Sequence, residues 1–179
     1  MKKKLAIVAV AAAIFLTAPV VPAQQDKSKR PSPPARAAWD LDGGKSVTID
    51  YSSPRAKGRK IYGGVVALDQ VWRTGANEAT TLTTPVDLNT GGAAVPAGTY
   101  TLFTIPSKDK WTLIISKKTG EWGTAYPGQA DDLARVDMKV SALSSPVENF
   151  TIAFEKSGAG ATLNLDWEST RASVAVSKK

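Results

Sequence analysis

The stretch Thr99-Tyr100-Thr101-Leu102-Phe103-Thr104-Ile105, then Pro106-Ser107-Lys108-Asp109, then Trp111-Thr112-Leu113-Ile114-Ile115 decides the fold class. β-Branched and aromatic residues dominate both arms, and a Pro-Ser-Lys-Asp turn joins them. Such residues fit a pleated, half-buried surface, and the turn residues break the run, so the segment reads as a β-hairpin. Pro96-Ala97-Gly98 launches its first arm.

The same pattern extends in both directions. Toward the N-terminus, Ala38-Trp39-Asp40-Leu41 and Ser46-Val47-Thr48-Ile49-Asp50-Tyr51 flank Asp42-Gly43-Gly44-Lys45, a second hairpin signal. Val47, Ile49 and Tyr51 fall on one face. Toward the C-terminus, apolar residues alternate at Val136, Met138 and Val140, at Phe150, Ile152 and Phe154, at Leu163, Leu165 and Trp167, and at Val174 and Val176. Ser157-Gly158-Ala159-Gly160 separates two of these runs. No window carries a helical period, and the nearest candidate is a turn near Gln129 to Leu133. Alternation of this kind predicts an all-β antiparallel sandwich, immunoglobulin-like or jelly-roll-like, with little or no helix.

The N-terminus has a different character. Lys2, Lys3 and Lys4 precede the unbroken apolar run Leu5 to Leu16, and Val21-Pro22-Ala23 follows. That order predicts a secretory signal peptide over residues 1–23 and a periplasmic or secreted product with no membrane anchor after cleavage. Pro19 and Pro22 interrupt the stretch short of the roughly 20 apolar residues that a spanning helix needs. Residues 24–35 hold three prolines and several charges, which predicts a flexible leader ahead of a domain at 36–179.

Charge and composition narrow the chemistry. The net charge of +7 falls to +4 once the three signal-peptide lysines are removed. The remaining basic residues form no stripe, so nucleic acid is not an expected partner. Cysteine and histidine are both absent. Thiol and imidazole catalysis are therefore excluded, as are imidazole and thiolate metal sites, and neither a cofactor nor a metal is expected.

Three long connections interrupt the strand spacing, at Ser52 to Gly64, Trp72 to Glu78 and Thr119 to Asp132. Long loops are where function concentrates in compact domains. The middle one, Trp72-Arg73-Thr74-Gly75-Ala76-Asn77-Glu78, packs the most varied chemistry. Two readings of it stay open. In one, Arg73 and Glu78 form an architectural ion pair, Asn77 caps the turn and Gly75 supplies a positive φ. In the other, Arg73 binds an anion, Asn77 hydrogen-bonds and Glu78 accepts a proton or a bond. Arg55 and Arg59, with Lys57 between them, form a basic loop that is either solvated or anion-binding. Trp122 lies in a Gly-containing loop, where an indole stacks on a ligand or is buried.

Tyr51-Ser-Ser-Pro-Arg-Ala-Lys-Gly-Arg59, Val71-Trp-Arg-Thr-Gly-Ala-Asn-Glu-Ala-Thr80, Pro96-Ala-Gly-Thr-Tyr-Thr-Leu102, Trp111-Thr-Leu-Ile-Ile115 and Trp122-Gly123 follow one another in an order that resembles the bacterial domain-of-unknown-function 2911 family. The resemblance covers about Ala35 to Val176 and implies an exported β domain without an assigned activity. Ser53 stands where the family pattern leads one to expect an arginine. The expected function is a non-catalytic binding domain for a small polar ligand, a glycan or an envelope protein. Its candidate surface joins Arg73, Asn77 and Glu78 to Arg55, Arg59 and Trp122. One alternative is an envelope-glycan hydrolase with Glu78 as acid or base; another is a structural domain without a ligand.

Overall fold

A computed structural model describes residues 26–123 and 125–179. The expected signal peptide lies outside the described residues. Nine strands form one antiparallel sheet: β1 (Pro34–Asp40), β2 (Ser46–Ser52), β3 (Thr80–Thr84), β4 (Leu88–Thr90), β5 (Ala93–Val95), β6 (Gly98–Ile105), β7 (Lys110–Ser116), β8 (Asp132–Ser157) and β9 (Gly160–Lys178). Their order across the sheet is β1-β2-β3-β6-β7-β8-β9-β4-β5. Among the described residues helix is confined to three single 3-10 turns, at Lys27–Lys29, Asp42–Gly44 and Gln129–Asp131.

The deciding hairpin is β6–β7, with Leu102 opposite Ile115 and Thr104 opposite Leu113. Both faces of β6 are buried, because Phe103 and Thr101 on one side are as hidden as Tyr100 and Leu102 on the other. Tyr126 from the 119–131 loop meets Phe103 edge-on at 5.2 Å, so that loop covers the outer face.

The sandwich character comes from curvature. β8 and β9 are 26 and 19 residues long, and their register shifts between Ala142 and Val147 and again between Val147 and Thr151. Such irregularities bend a strand pair. The bend carries the far arm of the β8–β9 hairpin over the rest of the sheet, and Trp39 of β1 meets Phe154 of β8 at 6.3 Å. Val47, Leu82, Leu102, Leu113, Leu163 and Val176, from five strands, consequently face one interior. Nonetheless, β1 pairs only with β2 and β5 only with β4, so the barrel is not closed.

Residues 26–35 differ from the expected flexible leader. β1 already begins at Pro34, and the Ser53 N–H donates to the Pro33 carbonyl at 2.9 Å. The preceding segment folds back onto the loop beginning at Trp72.

Candidate functional site

Trp72 fixes the start of the Arg73–Glu78 run. It exchanges two backbone hydrogen bonds with Thr104, at 2.7 and 2.9 Å. Its indole is buried, stacked on Trp167 at 5.9 Å and set edge-on to Phe150 at 5.0 Å and Trp111 at 6.4 Å. The chain then reverses sharply, with φ of +55° at Thr74, +153° at Gly75 and +54° at Asn77. Gly75 is needed for close approach: a Cβ there would lie 3.0 Å from the Ser52 carbonyl oxygen and 3.1 Å from Thr80 Oγ1. The Thr80 hydroxyl donates to the Thr74 carbonyl at 2.8 Å and closes the turn.

The expected ion pair between Arg73 and Glu78 is not formed. Glu78 Oε1 instead takes Lys27 Nζ at 2.9 Å and Arg30 Nη1 at 2.8 Å, both from the leader. Its Oε2 accepts a long bond from the Ser52 hydroxyl at 3.5 Å. Partial burial is the largest single influence on the Glu78 carboxyl and would raise its pKa. Hydrogen bonds from Lys27, from its own backbone N–H and from Arg30, with the Arg30 charge, together outweigh burial and hold it down at about 2. Asn77 does not cap its own turn; its Nδ2 donates to the Ser32 carbonyl at 2.9 Å and clips the leader in place. The physical reason is reach: the folded-back leader brings two cations and a carbonyl to groups that the turn geometry leaves facing outward.

Trp122 joins this cluster through the backbone. The Ala79 N–H donates to the Glu121 carbonyl at 3.2 Å and the Gly123 N–H to the Asn77 carbonyl at 3.1 Å. Residues 78 and 122 thus form a non-hydrogen-bonded antiparallel pair, whose side chains leave on the same face. The Trp122 indole is 61% exposed, whereas Trp72, Trp111 and Trp167 are buried. Arg73 Nη1 lies 3.6 Å from where a Cβ on Gly123, the residue after Trp122, would sit. Arg73 makes one weak bond, Nε to the Gly75 carbonyl at 3.4 Å, and no ion pair among the described residues. A groove of about 230 Å³ runs beside Glu78, lined by Lys27, Asp50, Tyr51 and Ser52 among others.

Arg55 and Arg59 stand apart, since no hydrogen bond or ion pair among the described residues links them to Arg73, Asn77, Glu78 or Trp122. The Arg55 guanidinium folds back on Ser53, reaching its hydroxyl at 2.7 Å and its carbonyl at 2.8 Å. Arg59 donates from Nε to the Ala56 carbonyl at 3.0 Å and from Nη2 to the Arg55 carbonyl at 2.7 Å. The single surface expected from sequence is therefore two regions. Among the described residues no group of three or more acidic side chains gathers to hold a metal ion.

The family model described as "Protein of unknown function (DUF2911)" matches residues 32–176, most of the chain. The chain belongs to the DUF2911 family. No curated protein and no solved structure matches it.

In this DUF2911 member, sequence reasoning missed Lys27 and Arg30 as site residues, because a Pro- and charge-rich leader carries no periodicity that would dock it. Ser32 and Ser52 were missed because each contributes only one oxygen. The DUF2911 match begins at residue 32, inside the docked segment.

Proposed function

We propose that the chain is an exported, non-catalytic binding domain whose ligand surface is the Trp122 indole with the Arg73 guanidinium. The observation that carries this reading is the exposure of one indole on a strand-like segment pinned by backbone bonds on both sides. Leaving so large an apolar side chain exposed forgoes burial free energy of about 2 kcal/mol, which a ligand covering the indole would recover. A fixed aromatic face stacks on a sugar ring or another flat polar ligand at low entropic cost. The neighbouring guanidinium, free of ion pairs among the described residues, suits a carboxylate or other anion on that ligand.

The hydrolase alternative fits the geometry less well. A general acid near neutral pH needs a raised carboxyl pKa, whereas Glu78 is held at about 2 by two cations. It remains ionised, and a base so weak gives little drive for proton removal.

An acidic and neutral glycan panel, screened against the full chain and against Trp122→Ala and Arg73→Gln, tests the proposal. Loss of binding in both variants, with unchanged melting temperature, is the expected result. Retained binding in both would sink it, and turnover abolished by Glu78→Gln would reinstate the hydrolase.

A further inference from the structure

A second, larger cleft lies on the other region, between the 56–60 loop and the bend of the β8–β9 hairpin. It encloses about 440 Å³, within the range of small-molecule sites. Arg59 and Lys60 stand on one wall, and Glu148 and Glu168 on the other. Here, among the described residues, none of the four has an ion-pair partner, although nine pairs form elsewhere.

The two walls are joined through the backbone rather than by ion pairs, since the Ala56 N–H donates to the Glu148 carbonyl at 2.9 Å. Two backbone carbonyls grip the Arg59 guanidinium through Nε and Nη2, which leaves Nη1 without a partner among the described residues. A Cβ on Gly64 would overlap the Lys60 carbonyl oxygen, so glycine there lets the loop close tightly behind Lys60. Across the cleft, Glu148 Oε1 accepts the N–H of Lys57 from the first wall at 2.8 Å, and its other oxygen has no partner among the described residues. Glu168 is the most informative residue. It sits at φ +52°, in the left-handed region, paired with Val147 between the two register shifts of the hairpin. Glycine or asparagine is the ordinary choice for that conformation, and a glutamate held there is strained. The strained backbone is fixed from behind, because the adjacent Trp167 is buried and donates Nε1–H to the Glu148 carbonyl at 3.2 Å. Strain of this kind persists where the surroundings over-determine it, and it collects at ligand sites.

We infer that this cleft is a binding site for a zwitterion, a free ω-amino acid or short peptide whose ammonium meets Glu168 and Glu148 and whose carboxylate meets Arg59 and Lys60. Walls of opposite sign, kept beyond ion-pair distance, match a ligand with both charges at its two ends and discriminate against one with a single charge. The site is distinct from the Trp122 surface and does not depend on it.

Amide NMR shifts of the full chain, titrated with 6-aminohexanoate and 4-aminobutyrate, test this. Butylamine and butyrate at equal ionic strength serve as single-charge probes. Saturable shifts at Gly58, Val147 and Glu168 with a zwitterion, and affinity about tenfold lower for both single-charge probes, are expected. Lys60→Gln and Glu168→Gln, both at accessible side chains, should each weaken the zwitterion about tenfold, while Trp122→Ala changes nothing. Equal or unsaturable shifts from all four probes would overturn the assignment, as would unchanged affinity in both charge variants or loss of binding in Trp122→Ala.

Discussion

Glu78 and Glu168 follow the two members of one indole stack, since Trp72 begins the run that ends at Glu78 and Trp167 immediately precedes Glu168. Around them the molecule does opposite things. Glu78 has two cations within 2.9 Å, supplied by a leader that folds back to reach it. Glu168 has none among the described residues, although Arg59 and Lys60 share its cleft. The backbone at Glu168 is strained as well, whereas at Glu78 it is extended enough to pair with Trp122. A satisfied carboxylate organises structure. An unsatisfied one, held at a conformational cost, is available to something outside the chain.

The contrast is broken most severely at its shared footing. Trp72→Ala removes a buried indole that contacts three other aromatic rings, and should cost about 3–5 kcal/mol of unfolding free energy in urea denaturation. Loss of less than about 1 kcal/mol would mean that the stack does not support the two regions. Glu168→Gly should act in the other direction. It relieves a left-handed backbone and stabilises the chain by up to about 1 kcal/mol, visible as a higher melting temperature. A destabilised variant would show that the glutamate side chain contributes to packing after all.

Glu78 sharpens the contrast through pH. Its folded pKa is depressed to about 2 from an ordinary 4.5. For a depressed carboxyl, the stabilisation is present above the unfolded pKa and fades as pH falls through the folded one. The difference in stability between the wild type and Glu78→Gln should therefore be constant above about pH 5 and disappear as the pH approaches 2. Its plateau should stay within about 1 kcal/mol, because the partly exposed pair is screened by solvent. Acid titration of both proteins by circular dichroism gives the two curves, and a gap that widens below pH 4.5 would contradict the pairing. The smallest effect belongs to Trp122→Ala, which should leave stability within about 0.5 kcal/mol while removing the larger part of the fluorescence accessible to acrylamide, the remainder coming from half-buried Trp39.

The strands were legible because their physics is local. Val47, Ile49, Leu163 and Leu165 alternate with polar neighbours, and each has its side chain in the interior. The hairpin turns at Asp42–Gly44 and after Ser157 carry residues that tolerate positive φ, so their positions are written in the chain. The curl of the sheet is less visible, because Pro146 is the one local mark in the segment of register shifts from Ala142 to Thr151, and no glycine accompanies it. Nor is the short β4–β5 pair evident from periodicity, since three residues per strand are too few to alternate. At the candidate site, residue types were informative and partners were not. Arg73, Asn77, Glu78 and Trp122 do gather, but Glu78 takes its cations from residues 48 and 51 positions upstream. Pairing at that separation depends on the path of the whole chain, and Glu168 betrays nothing because strain lies in φ rather than in composition.

The packing of Trp72, Trp111 and Trp167 has an optical consequence. Three indoles with centroids at 5.9 and 6.4 Å in fixed relative orientation are close enough for their excited states to mix. The folded chain should show strong near-ultraviolet circular dichroism that vanishes with tertiary packing, while emission from Trp122 answers separately to whatever touches the surface. One molecule thus carries two spectroscopic channels, an interior one that reports folding and an exterior one that reports contact, with no label added.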